Sequence, residues 1–247
     1  GIAYPHTGAG HPGNGEVIYA LTGPWLEQQF ARAQTIILSH ELLFAQAPRA
    51  QRLRTLADRL NIHVDIIAFL RPFDEVILGD YSQNLRQNLT GIQRSGRAFQ
   101  GRSFRQFAWA RQKDIQPAQF LSEWQAALPS AQLHLHHHTD IKPALIGLLP
   151  QMSQLDWHVP VWRSNPSLSR TACADLIQTT LSQRHENASI PRAGTASQTA
   201  PTDDQRMRAW LRAIFKPQRR ALIDTFAFDV NARTKTPYQN MDQKRVA

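Results

Sequence analysis

Three short stretches of the chain carry residue types able to do chemistry. In "LSHELLF", Ser39, His40 and Glu41 directly follow a β-branched apolar run. A histidine or carboxylate placed there is suited to take a proton from a hydroxyl, because burial tunes both groups toward neutrality. The plainer reading of Glu41 is a cap, or a pair with a nearby arginine. In "LRPFDEVILGDYSQNLR", Arg71 ends a second apolar run just ahead of a helix start. A guanidinium beside a helix N-terminus favours an anion; an ion pair with Asp74 or Glu75 is the alternative. In "LHLHHHTD", alternation puts His134 and His136 on one strand face and His137 on the other. Contiguous strand positions cannot converge on one tetrahedral ion, so no metal is expected. No G-x-S-x-G elbow occurs, and Cys173 falls inside an amphipathic helical pattern, where a buried core thiol is expected.

The opening "GIAYPHTGAGHPGNGE" has the glycine content of a phosphate loop. Such a loop needs a lysine and a preceding strand. The first lysine is Lys113 and no strand precedes the stretch, so a surface loop is expected. His6 and His11 within it remain candidates for a site. The stretch 91–111, "GIQRSGRAFQGRSFRQFAWAR", mixes arginine with aromatics. It reads as a substrate-binding loop, a base-stacking surface or a solvated connector.

The elements that must position these residues follow from periodicity. Short apolar β-branched runs at Thr35–Leu38 and Val64–Leu70, and the alternating run 131–138, read as strands. Amphipathic helices read at 48–61, from Asp74 onward, at 117–128, about 140–152, after Ser169 and over about 203–228. A helical pattern from Glu16 to Ala33 is interrupted at Gly23-Pro24. Strands alternating with helices imply parallel pairing and right-handed crossovers. The expected fold is α/β: a three-layer sandwich with a mainly parallel sheet and additional C-terminal helices, its ligands held beyond the carboxyl ends of the strands. One domain is expected over 1–230, with a mobile loop at about 185–203 and a loose tail over 231–247.

The 247 residues are 42% apolar and 19% charged, with a net charge of +9. A real core is affordable. No apolar run reaches the ~18–20 residues of a membrane span and no signal peptide is evident, so a cytoplasmic protein is expected. The single cysteine excludes an internal disulfide. The positive charge is mostly arginine, whose planar fork suits phosphate and sulfate. Its spread along the chain favours a small anionic ligand or a glycan over nucleic acid.

The segments "TIILSHELLF", "VDIIAFLRPFDEVILGDYSQNL" and "WRSNPSLSRTACADLI", in this order, resemble bacterial sulfotransferase-like proteins. That family has a fold like the P-loop nucleoside-triphosphate hydrolases and uses 3′-phosphoadenosine 5′-phosphosulfate as donor, without metal. The likeness spans most of residues 1–180. It implies that Arg71 grips the donor's 3′-phosphate. The family's helix serine falls on Gly79, Asp80 replaces a first tyrosine and Tyr81 matches the second. Asn165 and Ser167 match an Asn-x-Ser-Leu-Ser element, and Ser169 is placed to cap the next helix. The resemblance makes Glu41 the first choice of base and His11, which follows the "YP" segment, the second, with His40 beside them. Arg102 and Arg105 would recruit the acceptor, a hydroxyl on a glycan or lipid headgroup. The resemblance also implies a strand, a 5′-phosphosulfate loop and a helix before Gly1, so that these 247 residues are an N-terminally truncated domain, expected to be inactive in transfer without that loop. The rival expectation is a degenerate module that holds an anion without transfer, to which the Gly79 and Asp80 departures point.

Overall fold

A computed structural model describes residues 1–5, 14–19, 21–158, 168–183 and 201–232. Parallel pairing is present, but as two separate strand pairs among the described residues. Strand β1 (Ile2–Ala3) pairs with β2 (Thr35–Ile36), and β3 (Asp65–Leu70) pairs with β4 (Gln132–His137), both parallel. The chain is mixed α/β and mostly helical. One mainly parallel sheet was expected and two pairs are found; the first pair is also short, for a reason seen at Asn14. The Asn14 side chain donates to the Ile37 carbonyl at 2.9 Å and accepts from the Ser39 N–H at 2.8 Å. A side chain therefore takes the backbone groups that would have extended the strand beyond Ile36.

The break at Gly23-Pro24 starts a helix rather than bending one. Residues Gly15–Tyr19 form a 3-10 turn and helix α1 spans Gly23–Phe30. Pro24 lacks an N–H and fits a first helical turn, where none is needed. The Thr22 hydroxyl caps that turn by accepting from the Trp25 N–H. Helix α2 (Gln51–Leu60) leads into β3, and the chain then enters α3 (Phe73–Gln87), α4 (Leu89–Ser95), α5 (Phe104–Asp114) and α6 (Pro117–Ala127). After β4 come α7 (Ile141–Leu148), α8 (Arg170–Ser182), α9 (Pro201–Ile214) and α10 (Lys216–Phe226). The expected loop at 185–203 lies mostly outside the described residues, and the tail is described only to 232.

Helix α3 organises the larger core. Phe73, Ile77, Tyr81 and Leu85 recur every four residues, so they line one face, and all four are buried. Against them pack Phe104 and Phe107 of α5, Cys173 of α8, Met207 and Leu211 of α9, and Leu222 of α10. Ala68 and Leu70 of β3, with Leu133 and Leu135 of β4, close the same core. A second cluster gathers Ile18, Leu21, Leu26, Leu56, Trp124 and Leu128. Helix α6 serves both: Ala118 and Leu121 sit in the first, Trp124 in the second.

Between α4 and α5 the backbone turns left-handed at Phe99 (φ 50°), Gln100 (φ 59°) and Gly101 (φ 81°). Two of these are not glycine, and each left-handed side chain costs about 1–2 kcal/mol. The Phe99 ring, stacked 4.1 Å from Tyr81, holds the turn in place.

Candidate functional site

The chemistry-bearing residues fall into two groups, one on each strand pair. At the carboxyl end of β2, the Tyr4 hydroxyl bonds the Ser39 hydroxyl at 3.0 Å. Asn14, only 3% exposed, also donates to the Pro5 carbonyl at 3.0 Å. The two flanks of the glycine-rich stretch thus meet beside Ser39 and His40. His6 and His11 lie outside the described residues, as does the side chain of Glu41. His40 is half-buried in an isolated bridge immediately after this clamp. Sequence reasoning missed Asn14; one polar residue among many in a glycine-rich loop carries no local mark of burial.

The second group lies where β3 and β4 end side by side, Leu70 opposite His137. Arg71 is exposed there, one residue before Pro72 and the first turn of α3. His138 follows β4, its Nε2 3.4 Å from a Glu75 carboxylate oxygen. Burial first, then the positive charge of Arg71, push the His138 pKa below its ordinary value, against the opposing pull of Glu75. Nε2 faces the carboxylate and Nδ1 is buried, so the imidazole ties the end of β4 to α3 rather than presenting a nitrogen to solvent. His138 and Glu75 were not legible as a pair in the sequence, because the register of β3 against β4 creates it.

Asp74 is not at the helix surface, where its place in the first turn of α3 suggested. It is fully buried, and one carboxylate oxygen accepts from both Arg208 and Arg212 of α9, each at 3.2 Å. The ion-pair alternative for Arg71 is therefore taken up elsewhere: Asp74 is matched by two arginines of α9, and Glu75 faces His138.

Asp80 also turns away from it. Its carboxylate takes two bonds from Arg111 of α5, at 3.1 and 2.7 Å, so its charge is matched on the side facing α5. Gly79 is half-buried in mid-helix. Tyr81 lies in an aromatic cluster with Phe99, Phe104 and Phe107, and burial pushes its hydroxyl up to about 12. Packing accounts for this tyrosine fully. Asn165 and Ser167 lie outside the described residues. Leu168, just after them, donates its N–H to the buried Ser82 hydroxyl at 2.8 Å, which ties that segment's end to α3. Ser169 caps α8 by accepting from the Ala172 N–H.

Arg102 and Arg105 are both exposed, flanking the N-cap Ser103 of α5. His134 donates from Nε2 to an Asp65 carboxylate oxygen at 2.9 Å, and His63 approaches the same oxygen at 3.4 Å, at the far end of the strand pair from Arg71. Among the described residues no group of three or more His, Cys, Asp and Glu is placed to hold a metal. Burial pushes the Cys173 thiol up to about 11, which suits a core residue and not a nucleophile. A groove lined by Leu89, Gln93, Leu176 and Thr180 separates α4 from α8. It opens at the opposite end of α3 from Arg71, a helix length of about 22 Å away, and lacks charged residues.

Comparison with family models, with curated proteins and with solved structures returns no match for this chain.

Proposed function

We propose that the chain is a sulfotransferase-like protein that holds the 3′-phosphate of 3′-phosphoadenosine 5′-phosphosulfate on Arg71 and directs sulfuryl transfer to an acceptor hydroxyl, the acceptor being a glycan or lipid headgroup. The observation that carries the reading is the position of Arg71. Its guanidinium stands exposed at the carboxyl end of a parallel strand pair, ahead of the first turn of α3. An exposed guanidinium there suits a phosphate, and Asp80, matched by Arg111, does not oppose it.

In the transfer, the bond from sulfur to the donor's phosphate oxygen breaks as the acceptor oxygen bonds to sulfur. The acceptor proton passes to a base, and adenosine 3′,5′-bisphosphate leaves. The protein's part is alignment and charge stabilisation. Glu41 and His11 are the bases the resemblance offers, with His40 beside Glu41.

A thermal-shift titration with adenosine 3′,5′-bisphosphate tests the reading. The wild-type chain is expected to gain stability, and Arg71→Ala to lose about tenfold or more in affinity, as for a charge-assisted bond worth ~1.5–3 kcal/mol. No stabilisation of the wild type, or equal affinity in the variant, overturns it. One observation favours a second reading, the binding module without transfer: Tyr81 is packed among aromatic rings and Gly79 offers no side chain. Nucleotide binding without transfer of labelled sulfate from the donor selects that reading.

A further inference from the structure

Between Asp80 and Asp114 the chain contains no acidic residue and seven basic ones. Arg111 is paired with both of those aspartates. Along α5, Arg105, Trp109 and Lys113 stand four residues apart, which places them on one stripe about 12 Å long. All three are exposed, as is Arg102 just ahead of the N-cap. The inner face of α5 is already filled, with Phe104, Phe107 and Ala108 buried. Yet Trp109 leaves 49% of its surface in water. The guanidinium of Arg105 sits 5.4 Å from the ring centre of Trp210 on α9, which steadies one end of the stripe.

We infer that this stripe docks the protein on an anionic lipid surface, with Trp109 entering the headgroup layer and Arg102, Arg105 and Lys113 facing the lipid phosphates. Trp is at home at a membrane interface, one side apolar and one side wet, and flanking cations are drawn to anionic headgroups. The shape matters as much as the charge. Single-stranded nucleic acid is held in a groove with successive aromatic platforms. Here the surface is the convex side of one helix with one free indole; the other strongly exposed aromatic among the described residues, Tyr4, stands by β1. Among those residues no helix is long and apolar enough to cross a membrane, so the contact is lateral. The docking is independent of sulfuryl transfer and is measured without donor.

The test is sedimentation of the whole chain with vesicles of phosphatidylcholine, or of equal parts phosphatidylglycerol and phosphatidylcholine. Binding is expected only to the anionic vesicles and is expected to fall with salt. Trp109→Ala is expected to weaken it about tenfold, and Arg105→Ala with Lys113→Ala about thirtyfold. Acyl-brominated lipid is expected to quench tryptophan emission in the wild type and to leave Trp109→Phe unquenched. Circular dichroism checks that the variants fold, and the wild-type quenching stands whether or not they do. Equal binding to neutral vesicles, no binding, quenching retained in Trp109→Phe, or displacement from vesicles by a thymidine oligonucleotide that binds more tightly overturns the inference.

Discussion

His138 shows how far a single side chain departs from its sequence context. Written as one of three adjacent histidines, it reads as a strand residue or a poor metal ligand; folded, it faces Glu75 with Arg71 nearby. Its pKa lies below the ordinary 6.5, and so does that of His136, where burial is again the largest cause. The unfolded chain takes up protons on both residues at a higher pH than the folded one does. Stability is therefore full above the ordinary value and declines as pH falls from neutrality through 6 and on through the lowered folded values. Denaturant midpoints at about pH 8 and about pH 5.5 are expected to show this loss, and His138→Gln to reduce it. An unchanged difference in the variant removes His138 from the account.

At the scale of elements, the attachment of α9 to the start of α3 rests on one carboxylate. Asp74 holds Arg208 and Arg212 while its own side chain is 1% exposed. A buried charge with half its partners removed is strongly unfavourable, but both arginines reach water and retain hydration. Asp74→Asn is expected to lower stability by about 1–3 kcal/mol, a fall in Tm of roughly 2–4 °C per kcal/mol for a chain of this size. Limited proteolysis within α9 is expected to quicken, and Trp210 emission to shift to the red. Arg208→Ala is expected to do less, since Arg212 still engages the carboxylate. A variant as stable as the parent, with α9 equally protected, contradicts this anchoring.

For the molecule as a whole, local pattern and long-range pairing divide what a sequence reveals. The run from Val64 to Leu70 and the alternating histidine run fold as parallel neighbours, and α3 begins where Pro72, Asp74 and Glu75 signal a start. Ser169 caps its helix as its position implied. These features follow from periodicity and from residues that act within one turn. The early end of the β1–β2 ladder was not legible, because the Asn14 side chain reaches 25 residues along the chain to the Ser39 N–H and ends β2. Nor was the burial of Asp74, whose partners lie 134 and 138 residues away. Of the candidate site, Arg71 stands where the strand-end argument put it. The Glu75–His138 pairing depended on register, which no single stretch encodes.

Helix α6 ties the outcome of one half of the molecule to the other. Ala118 and Leu121 belong to the core around α3, while Trp124, one turn on, belongs to the cluster around α1 and α2 and donates its indole N–H to the Leu43 carbonyl at 3.0 Å. Neither cluster can melt without baring a face of the same helix. Heating is therefore expected to give one calorimetric peak, with the calorimetric and van't Hoff enthalpies in agreement; two resolved peaks would show that the shared helix fails to couple them. On that expectation a lesion beside Leu26 or Leu56 lowers the temperature at which the Arg71 end of α3 survives, though it lies in the other cluster.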